Sequence, residues 1–301
     1  MDSEIIKLEY DHGTIVVRGL TYEIPPLKWD PRAKCLRALA YKYFEVKRTL
    51  ELLGFKVEDQ VLSPVKGSLG TVSLKPLRSY QEEAVEAWFK AGKRGIVVLP
   101  TGTGKTIIAI KVIAQLNEPT LVVVPTIELL EQWRSELSRA LNVNVGVLGG
   151  GLKEISFITV STYNSAYINA EELGNKFKLL VFDEVHHLPS ESFRQIALLS
   201  AAPFRLGLTA TLEREDGKHV DLQDLVGDVV YRKSVYEMKS KHLADFELVR
   251  VYVELTDDEK MKFEKLYSMY RDFLDRRNWK LRSLEDFKRL ITMSGLSREA
   301  K

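Results

Sequence analysis

The 301-residue sequence contains a single cysteine, Cys35, so it cannot form an intramolecular disulfide. Its 44 basic and 42 acidic residues leave a net charge of +2, so any contact with nucleic acid would have to be a local patch. No apolar run approaches the roughly 20 residues that span a bilayer, and the acidic start 1–4 is unlike a signal peptide. These absences predict a cytoplasmic protein without a membrane segment.

What the chain does have is a glycine loop between two apolar segments. The strand-like run 96–98 leads into residues 100–106 (PTGTGKT), and a further apolar segment follows. Strand, glycine turn and helix in this order form a P-loop, in which backbone N–H groups and the helix N-terminus hold phosphate. Lys105 would reach the outer phosphates, and the Thr106 hydroxyl would help to hold Mg²⁺. The general pattern has glycine where this chain has Leu99.

A second motif lies where the apolar run 179–182 ends in two carboxylates, Asp183 and Glu184. Adjacent carboxylates at a buried strand end are costly unless a cation or a function compensates. We expect Asp183 to hold the Mg²⁺ that bridges the phosphates, and Glu184 to position and deprotonate the attacking water. His186 and His187 are adjacent and do not converge on one ion. We therefore expect His186 to form a hydrogen bond that couples the site to the next strand.

The hydrophobic pattern predicts an α/β protein in three parts. Residues 1–70 read as a small α+β domain. Residues 71–235 alternate strands with helices and predict a parallel sheet with helices on both faces, whose ligands bind beyond the carboxyl ends of the strands. Residues 236–301 predict helices.

Local signals add detail to this division. A turn signal at 11–13 predicts a hairpin, and apolar spacing predicts a helix over 32–53. Ser79 with Glu82 and Thr256 with Glu259 read as capping boxes that begin helices, and a further helix is predicted from Ser283. Basic residues over 28–37 and 276–282 fit either a DNA-backbone contact or a solvated surface.

Taken in order, the motifs resemble those of the superfamily 2 helicases. They are Gln81, the loop 102–106, the segments 124–126 and 159–163, the acidic run 183–186 and the strand end 209–211. Within that superfamily, the stretches 182–189 and 203–211 and the Arg-Glu-Asp triplet 214–216 resemble the archaeal XPB (xeroderma pigmentosum group B) helicases. The resemblance is weakest before residue 77. The helicase form of the P-loop also tolerates Leu99.

The resemblance implies a damage-recognition domain over 1–70, the first RecA-like helicase domain over 71–235 and a thumb-like helical insertion over 236–301. It implies that ATP and Mg²⁺ are bound by Arg78, Gln81, Thr101, Gly102, Thr103, Gly104, Lys105, Thr106, Asp183 and His186. Gln81 would read the adenine edge with its amide. It also implies DNA contacts from Pro125, Thr126, Ser161, Thr162, Tyr163, Arg214, Glu215 and Asp216.

The implied function is an ATP-dependent DNA helicase or translocase that acts in nucleotide excision repair or in transcription-linked duplex opening. Its partners would be double- and single-stranded DNA and a nuclease or repair-complex protein. Lys105, Asp183 and Glu184 would be the catalytic residues. No second strand–helix series follows, so we expect an N-terminal portion that lacks the second RecA-like domain and is nearly inactive alone. A nucleotide-switched DNA-binding scaffold and the motor subunit of a restriction endonuclease remain alternatives.

Overall fold

The first sheet is built on a hairpin, as the turn residues 11–13 predict. The computed structural model describes residues 5–70, 72, 74, 76–212, 217–238 and 253–276 of the chain. The elements of the first part are β1 (Ile5–Asp11), β2 (Thr14–Arg18), β3 (Lys28–Asp30), β4 (Cys35–Leu39), α1 (Tyr43–Leu52) and β5 (Lys56–Gln60). The strand order is β3-β4-β2-β1-β5, and β5 runs parallel to β1 while the other pairs are antiparallel. The predicted α+β character of this part is confirmed.

The helix predicted over 32–53 is wrong in its first half, where the chain forms β4 and then a short 3-10 helix over Ala40–Lys42. This strand pairs with β2 on one side and β3 on the other. Leu36 and Ala38 are buried, whereas Arg37 is half-buried and Leu39 is exposed, which is the alternation of a strand. Apolar residues at spacings of three and four misled the prediction because pairing with β2 and β3 outweighs the local preference. The α-helix begins at Tyr43.

Arg37, one of the basic residues in the stretch 28–37, forms ion pairs and a hydrogen bond with neighbouring residues of the first part of the chain. Arg37 Nη2 lies 2.6 Å from Asp11 Oδ2, and Arg37 Nε lies 3.1 Å from Asp30 Oδ2. The guanidinium also donates to the Thr14 hydroxyl at 2.7 Å. For Arg37, these contacts favour a structural role over contact with a DNA backbone.

The second sheet has eight strands. They are β6 (Arg94–Val98), β7 (Thr120–Val124), β8 (Val145–Gly149), β9 (Leu152–Glu154), β10 (Ile158–Thr162), β11 (Leu179–Asp183), β12 (Phe204–Thr209) and β13 (Val229–Arg232). Their order is β13-β6-β12-β11-β7-β10-β8-β9, and all neighbours are parallel except β8 and β9. The accompanying helices are α2 (Ser79–Lys90), α3 (Lys105–Leu116), α4 (Ile127–Leu141), α5 (Tyr163–Ile168), α6 (Ala170–Leu173), α7 (Arg194–Leu198), α8 (Leu222–Leu225) and α9 (Val235–Met238).

Helices cover both faces of this sheet, as predicted. Along β7, Val122 belongs to a core that includes Trp133 of α4, whereas Val123 belongs to a separate core that includes Tyr163 of α5. Successive side chains of a strand point to opposite faces, so a strand buried on both sides is apolar throughout. This explains why 120–124 and 179–182 read as continuous apolar runs.

Several hydrogen bonds join residues 5–70 to the helices and loops that accompany the second sheet. The Tyr10 hydroxyl lies 2.8 Å from Glu171 O and 3.0 Å from Leu199 O. Ser63 N donates to Asn175 O at 3.0 Å. These hydrogen bonds connect residues on the two sides of the predicted domain boundary between residues 70 and 71. The division into two domains at that position stays a prediction.

The described part of residues 245–301 contains α10 (Asp257–Arg276). Its capping box is confirmed, since Thr256 N donates to Glu259 Oε2 at 2.9 Å and Glu259 N donates to Thr256 Oγ1 at 3.4 Å. The basic stretch beyond Arg276 and the helix predicted from Ser283 lie outside the described residues. No helix in the described part of the chain has the length and apolar composition of a membrane span.

Replacing Tyr10 with phenylalanine removes the hydroxyl whose single proton is shared between Glu171 O and Leu199 O. We expect the free energy of unfolding in urea to fall by about 1 kcal/mol, the net value of one such hydrogen bond. Tyr22→Phe is the matched control, because the Tyr22 side chain is 53% exposed. Equal effects of the two substitutions would contradict a stabilising contact between residues 5–70 and the helices and loops that accompany the second sheet.

Candidate nucleotide-binding site

The P-loop connects β6 to α3 at the carboxyl edge of the second sheet. Gly102 and Gly104 have φ of +76° and +77°, in the left-handed region that favours glycine. A Cβ on Gly104 would lie 2.7 Å from Gln81 Nε2, whereas one on Gly102 would meet nothing within 4 Å. Leu99 is fully buried in the core and its N–H donates to Thr209 O at 3.0 Å. The leucine therefore packs without obstructing the loop.

The side chains of the loop make internal contacts. Lys105 Nζ donates to Leu99 O at 3.2 Å, so the ammonium group at the end of the P-loop contacts the residue that precedes the loop. Thr103 is buried, and its hydroxyl donates to Pro100 O at 2.7 Å. Thr101 is exposed, and Thr106 is half-buried at the start of α3. Thr106 therefore lies where a metal-holding hydroxyl is expected.

Two side chains of helix α2 donate hydrogen bonds to the backbone of the P-loop. The Tyr80 hydroxyl and Gln81 Nε2 both donate to Thr103 O, at 2.7 and 3.0 Å. Arg78 N donates to Gln81 Oε1 at 2.9 Å. The capping box expected from Ser79 and Glu82 is wrong. The N-cap residue is Arg78, one residue before Ser79, and its N–H donates to Gln81 and not to Glu82. Contact between Gln81 and adenine stays a prediction, as does nucleotide contact by Arg78.

Asp183 is the last residue of β11, and both of its carboxylate oxygens accept hydrogen bonds. Trp133 Nε1 donates to Oδ2 at 2.8 Å, and Glu184 N donates to Oδ1 at 3.1 Å. Burial raises the pKa of the Asp183 carboxyl, and the negative charge of Glu184 raises it further. The hydrogen bond from Trp133 and the positive charge of Lys105 lower this pKa, but the net shift is upward. The P-loop and the acidic motif lie at the same sheet edge, because β12 pairs with β11 through Leu208 and Asp183 and with β6 through Thr209 and Val98.

Glu184, His186 and Thr209 form a second polar group beside Asp183. His186 Nδ1 lies 3.0 Å from Thr209 Oγ1 and 3.4 Å from Glu184 Oε2. The expected hydrogen bond from His186 to the next strand is confirmed. Glu184 has φ of +46°, an unusual conformation for a residue with a side chain, and such residues concentrate at functional sites.

The donor set fits Mg²⁺ and a nucleotide. A carboxylate and a hydroxyl, from Asp183 and Thr106, are the oxygen ligands that Mg²⁺ prefers. The loop leaves open space at Gly102, and the start of α3 directs its N–H groups toward the same edge. In the described part of the chain, no group of three or more His, Cys, Asp or Glu side chains is placed to hold a metal by itself.

The predicted DNA contacts follow the neighbouring strands. Thr126 is exposed and caps α4, since Leu129 N donates to its hydroxyl at 3.3 Å. Thr162 is 7% exposed and caps α5 in the same way, with Ser165 N donating to its hydroxyl at 3.2 Å. Pro125 is half-buried just before Thr126. DNA contact by these residues stays a prediction.

Ser161 and Tyr163 are 0% and 2% exposed, so the predicted DNA contact by these two residues stays a prediction and would use the main chain. The Ser161 hydroxyl donates to Thr162 O, and the Tyr163 hydroxyl donates to Asp183 O, both at 3.0 Å. Both side chains face inward and neither is available to a DNA strand. The predicted contacts Arg214, Glu215 and Asp216 lie outside the described residues.

Sequence reasoning missed the roles of Tyr80, Trp133 and Tyr163 at the site. Each is buried and directs its one polar group at the P-loop or at Asp183. A buried tyrosine or tryptophan needs a partner for its O–H or N–H. That need is visible in the sequence, but the identity of the partner depends on tertiary structure.

Two protein-family descriptions match the chain: "Type III restriction enzyme, res subunit" over residues 74–214 and "Xeroderma pigmentosum group B helicase damage recognition domain" over residues 8–61. The chain is similar to the "DNA 3'-5' translocase XPB2" of Sulfurisphaera tokodaii, with 47% identity over 99% of this chain and 66% of that relative. It is 36% identical to the "DNA 3'-5' helicase XPB" of Mycobacterium tuberculosis over 72% of this chain and 42% of that relative.

Among solved structures, the Pyrococcus furiosus Hef helicase domain is similar, with a TM-score of 0.47 and 24% identity over 65% of this chain and 46% of that one. The chain thus spans about two thirds of the length of the Sulfurisphaera relative and less than half of the mycobacterial one.

The two loop glycines give a matched pair of variants. Gly102→Ala should lower the free energy of unfolding by about 1–2 kcal/mol, the cost of a left-handed residue that has a side chain. Gly104→Ala should cost about 1 kcal/mol more, because its methyl group displaces Gln81 and breaks its hydrogen bonds. Urea titration measures both.

Gln81→Ala combined with Gly104→Ala tests the cause. The clash is absent in the double variant, so the two substitutions together should cost less than the sum of the single ones. Additive losses would contradict a clash with Gln81.

Proposed function

The chain belongs to the XPB family of superfamily 2 helicases, and on that premise we propose that its parallel sheet is the ATP-binding, RecA-like half of a DNA-translocating motor. The observation that supports this most is that the P-loop and the acidic motif lie at the same edge of the sheet, since Leu208 pairs with Asp183, Thr209 pairs with Val98, and Leu99 N donates to Thr209 O. A phosphate-binding loop after β6 and a magnesium carboxylate at the end of β11, with only β12 between the two strands, form the arrangement that nucleoside triphosphate hydrolysis needs.

Each side chain has a distinct part in the proposed reaction. Lys105 leaves Leu99 O and binds the outer phosphates of ATP. Thr106 and Asp183 would hold Mg²⁺, which neutralises charge on the transferring phosphoryl group. Glu184 positions the attacking water and accepts its proton. His186 and Thr209 lie beside Glu184 and orient its carboxylate.

We propose that hydrolysis by this chain alone is slow. In the family, arginines from a second RecA-like half complete the site, and such arginines account for about 10³–10⁵ in rate. The described residues form one parallel sheet of this kind, built from β6 to β13. Nucleotide binding should therefore be measurable here even where turnover is not.

The proposed substrate of the complete motor is DNA, with strand contacts at Pro125, Thr126 and Thr162 and at the loop 214–216. The proposed setting is nucleotide excision repair or transcription-linked opening, with a nuclease or repair-complex partner. The match to a damage-recognition domain over 8–61 supports this reading. The match to a restriction subunit over 74–214 keeps a restriction motor as the second candidate.

Lys105→Ala and Glu184→Gln separate binding from hydrolysis. Lys105→Ala should weaken binding of labelled ADP or ATP about 10- to 100-fold, because a charge-assisted contact to phosphate is lost. Glu184→Gln should bind normally and lower any ATP turnover about 10²- to 10⁴-fold. Lys90→Ala is the control, since that lysine is exposed and pairs with Glu86. Normal binding by Lys105→Ala would overturn the proposed site.

Strand displacement tests the motor. A protein that contains this chain and a second RecA-like half should unwind or translocate along duplex DNA in an ATP-dependent manner, and the same protein with Lys105→Ala should not. Unchanged unwinding in the variant would refute an ATP-driven motor. DNA binding without unwinding in both proteins would instead favour the nucleotide-switched scaffold.

A further inference from the structure

Trp133 makes a directed contact with the predicted magnesium ligand. The side chain is 1% exposed on α4, and its only polar atom, Nε1, donates to Asp183 Oδ2 at 2.8 Å. Glu184 N donates to the other carboxylate oxygen. A carboxylate has about four acceptor positions. These two bonds therefore fix the carboxylate and leave acceptor positions for a ligand.

Tyr163 fixes the backbone of the same residue. It is buried at the start of α5, and its hydroxyl donates to Asp183 O at 3.0 Å. Its ring lies between aromatic neighbours, with centroid distances of 6.4 Å to Phe182 and 5.1 Å to Phe193. The side chain of Asp183 is thus held from α4 on one face of the sheet, and its main chain is held from α5 on the other.

The contact of Trp133 differs from that of an ordinary core tryptophan. Trp88 is also fully buried, and its indole N–H donates to a backbone carbonyl, Arg205 O, at 3.0 Å. A backbone carbonyl of that kind only supplies the hydrogen-bond acceptor that a buried indole N–H needs. Trp133 instead donates to a carboxylate whose orientation matters to a metal ion. Residues that hydrogen-bond to a metal ligand commonly change metal affinity when they are replaced.

We infer that Trp133 and Tyr163 are positioning residues that hold Asp183 in the geometry needed for Mg²⁺, one through the carboxylate and the other through the main chain. The inference rests on the proposed function, because it takes Asp183 to be the magnesium ligand. Both side chains are buried and donate to Asp183, so both act through that residue.

The test compares Trp133→Phe with Trp88→Phe in the 301-residue chain. Each variant loses one buried indole N–H bond, so the two carry a similar structural penalty. The readout is fluorescence anisotropy of ribose-labelled ADP, excited at the label so that tryptophan loss does not alter the signal. Binding is titrated with MgCl₂ and is also measured in EDTA. Trp133→Phe should raise the Mg²⁺ concentration at half-maximal binding about tenfold, with unchanged affinity in EDTA. Trp88→Phe should leave both values unchanged.

Tyr163→Phe is the second variant, and it decides the matter if Trp133→Phe does not fold. It keeps the ring and loses only the hydroxyl, and it should raise the Mg²⁺ midpoint about fivefold. Tyr10→Phe, which loses a hydroxyl bonded to backbone carbonyls away from the site, is its control.

The two hypotheses fail in different ways. Wild-type midpoints in folded Trp133→Phe and Tyr163→Phe would overturn the positioning role and leave the proposed function standing. Wild-type protein that binds no labelled ADP, or binds it equally well after Lys105→Ala, would overturn the proposed function and the inference with it. A lower affinity in EDTA that accounts for the whole effect would mean that the residues support the fold and not the metal site.

Discussion

Parallel pairing of β6, β12 and β11 is the constraint on which the rest of the site depends. Thr209 lies opposite Val98, and Leu208 lies opposite Asp183, so the three strands end at the same edge. The P-loop, the acidic motif and the threonine segment are far apart in sequence, and only this register brings them together. A shift by one residue would turn Asp183 toward the opposite face of the sheet. Packing of buried side chains on both faces opposes such a shift.

The register places a carboxylate where water is largely excluded. Asp183 is 8% exposed, and its burial favours the protonated form. The indole of Trp133 and the charge of Lys105 favour the ionised form, but the net direction of the pKa is upward. The ionised carboxylate of Asp183 would therefore be more stable in water than at this buried position. A divalent cation would supply the opposing charge that burial makes valuable, and this links the cost of the site to its proposed use.

The sequence was sufficient for those features that are local. The P-loop, the acidic strand end and the alternation of strands and helices depend on short patterns, and the structure has them at the predicted positions. The strand at 35–39 was missed because pairing with distant strands decided it. The inward direction of Tyr163 and the partner of Trp133 were missed for the same reason. A motif identifies a segment, but which way each side chain points depends on packing between segments.

Gln81 shows how this distinction changes a functional interpretation. Its amide donates to Thr103 O and accepts from Arg78 N, and these two bonds hold the P-loop against α2. One N–H and one lone pair of the amide remain for another partner, but the residue is only 4% exposed. Because such bonds are costly to leave unsatisfied, the geometry favours Gln81 as an anchor of the loop. Its influence on nucleotide binding would then pass through the position of Thr103 and the glycines beside it.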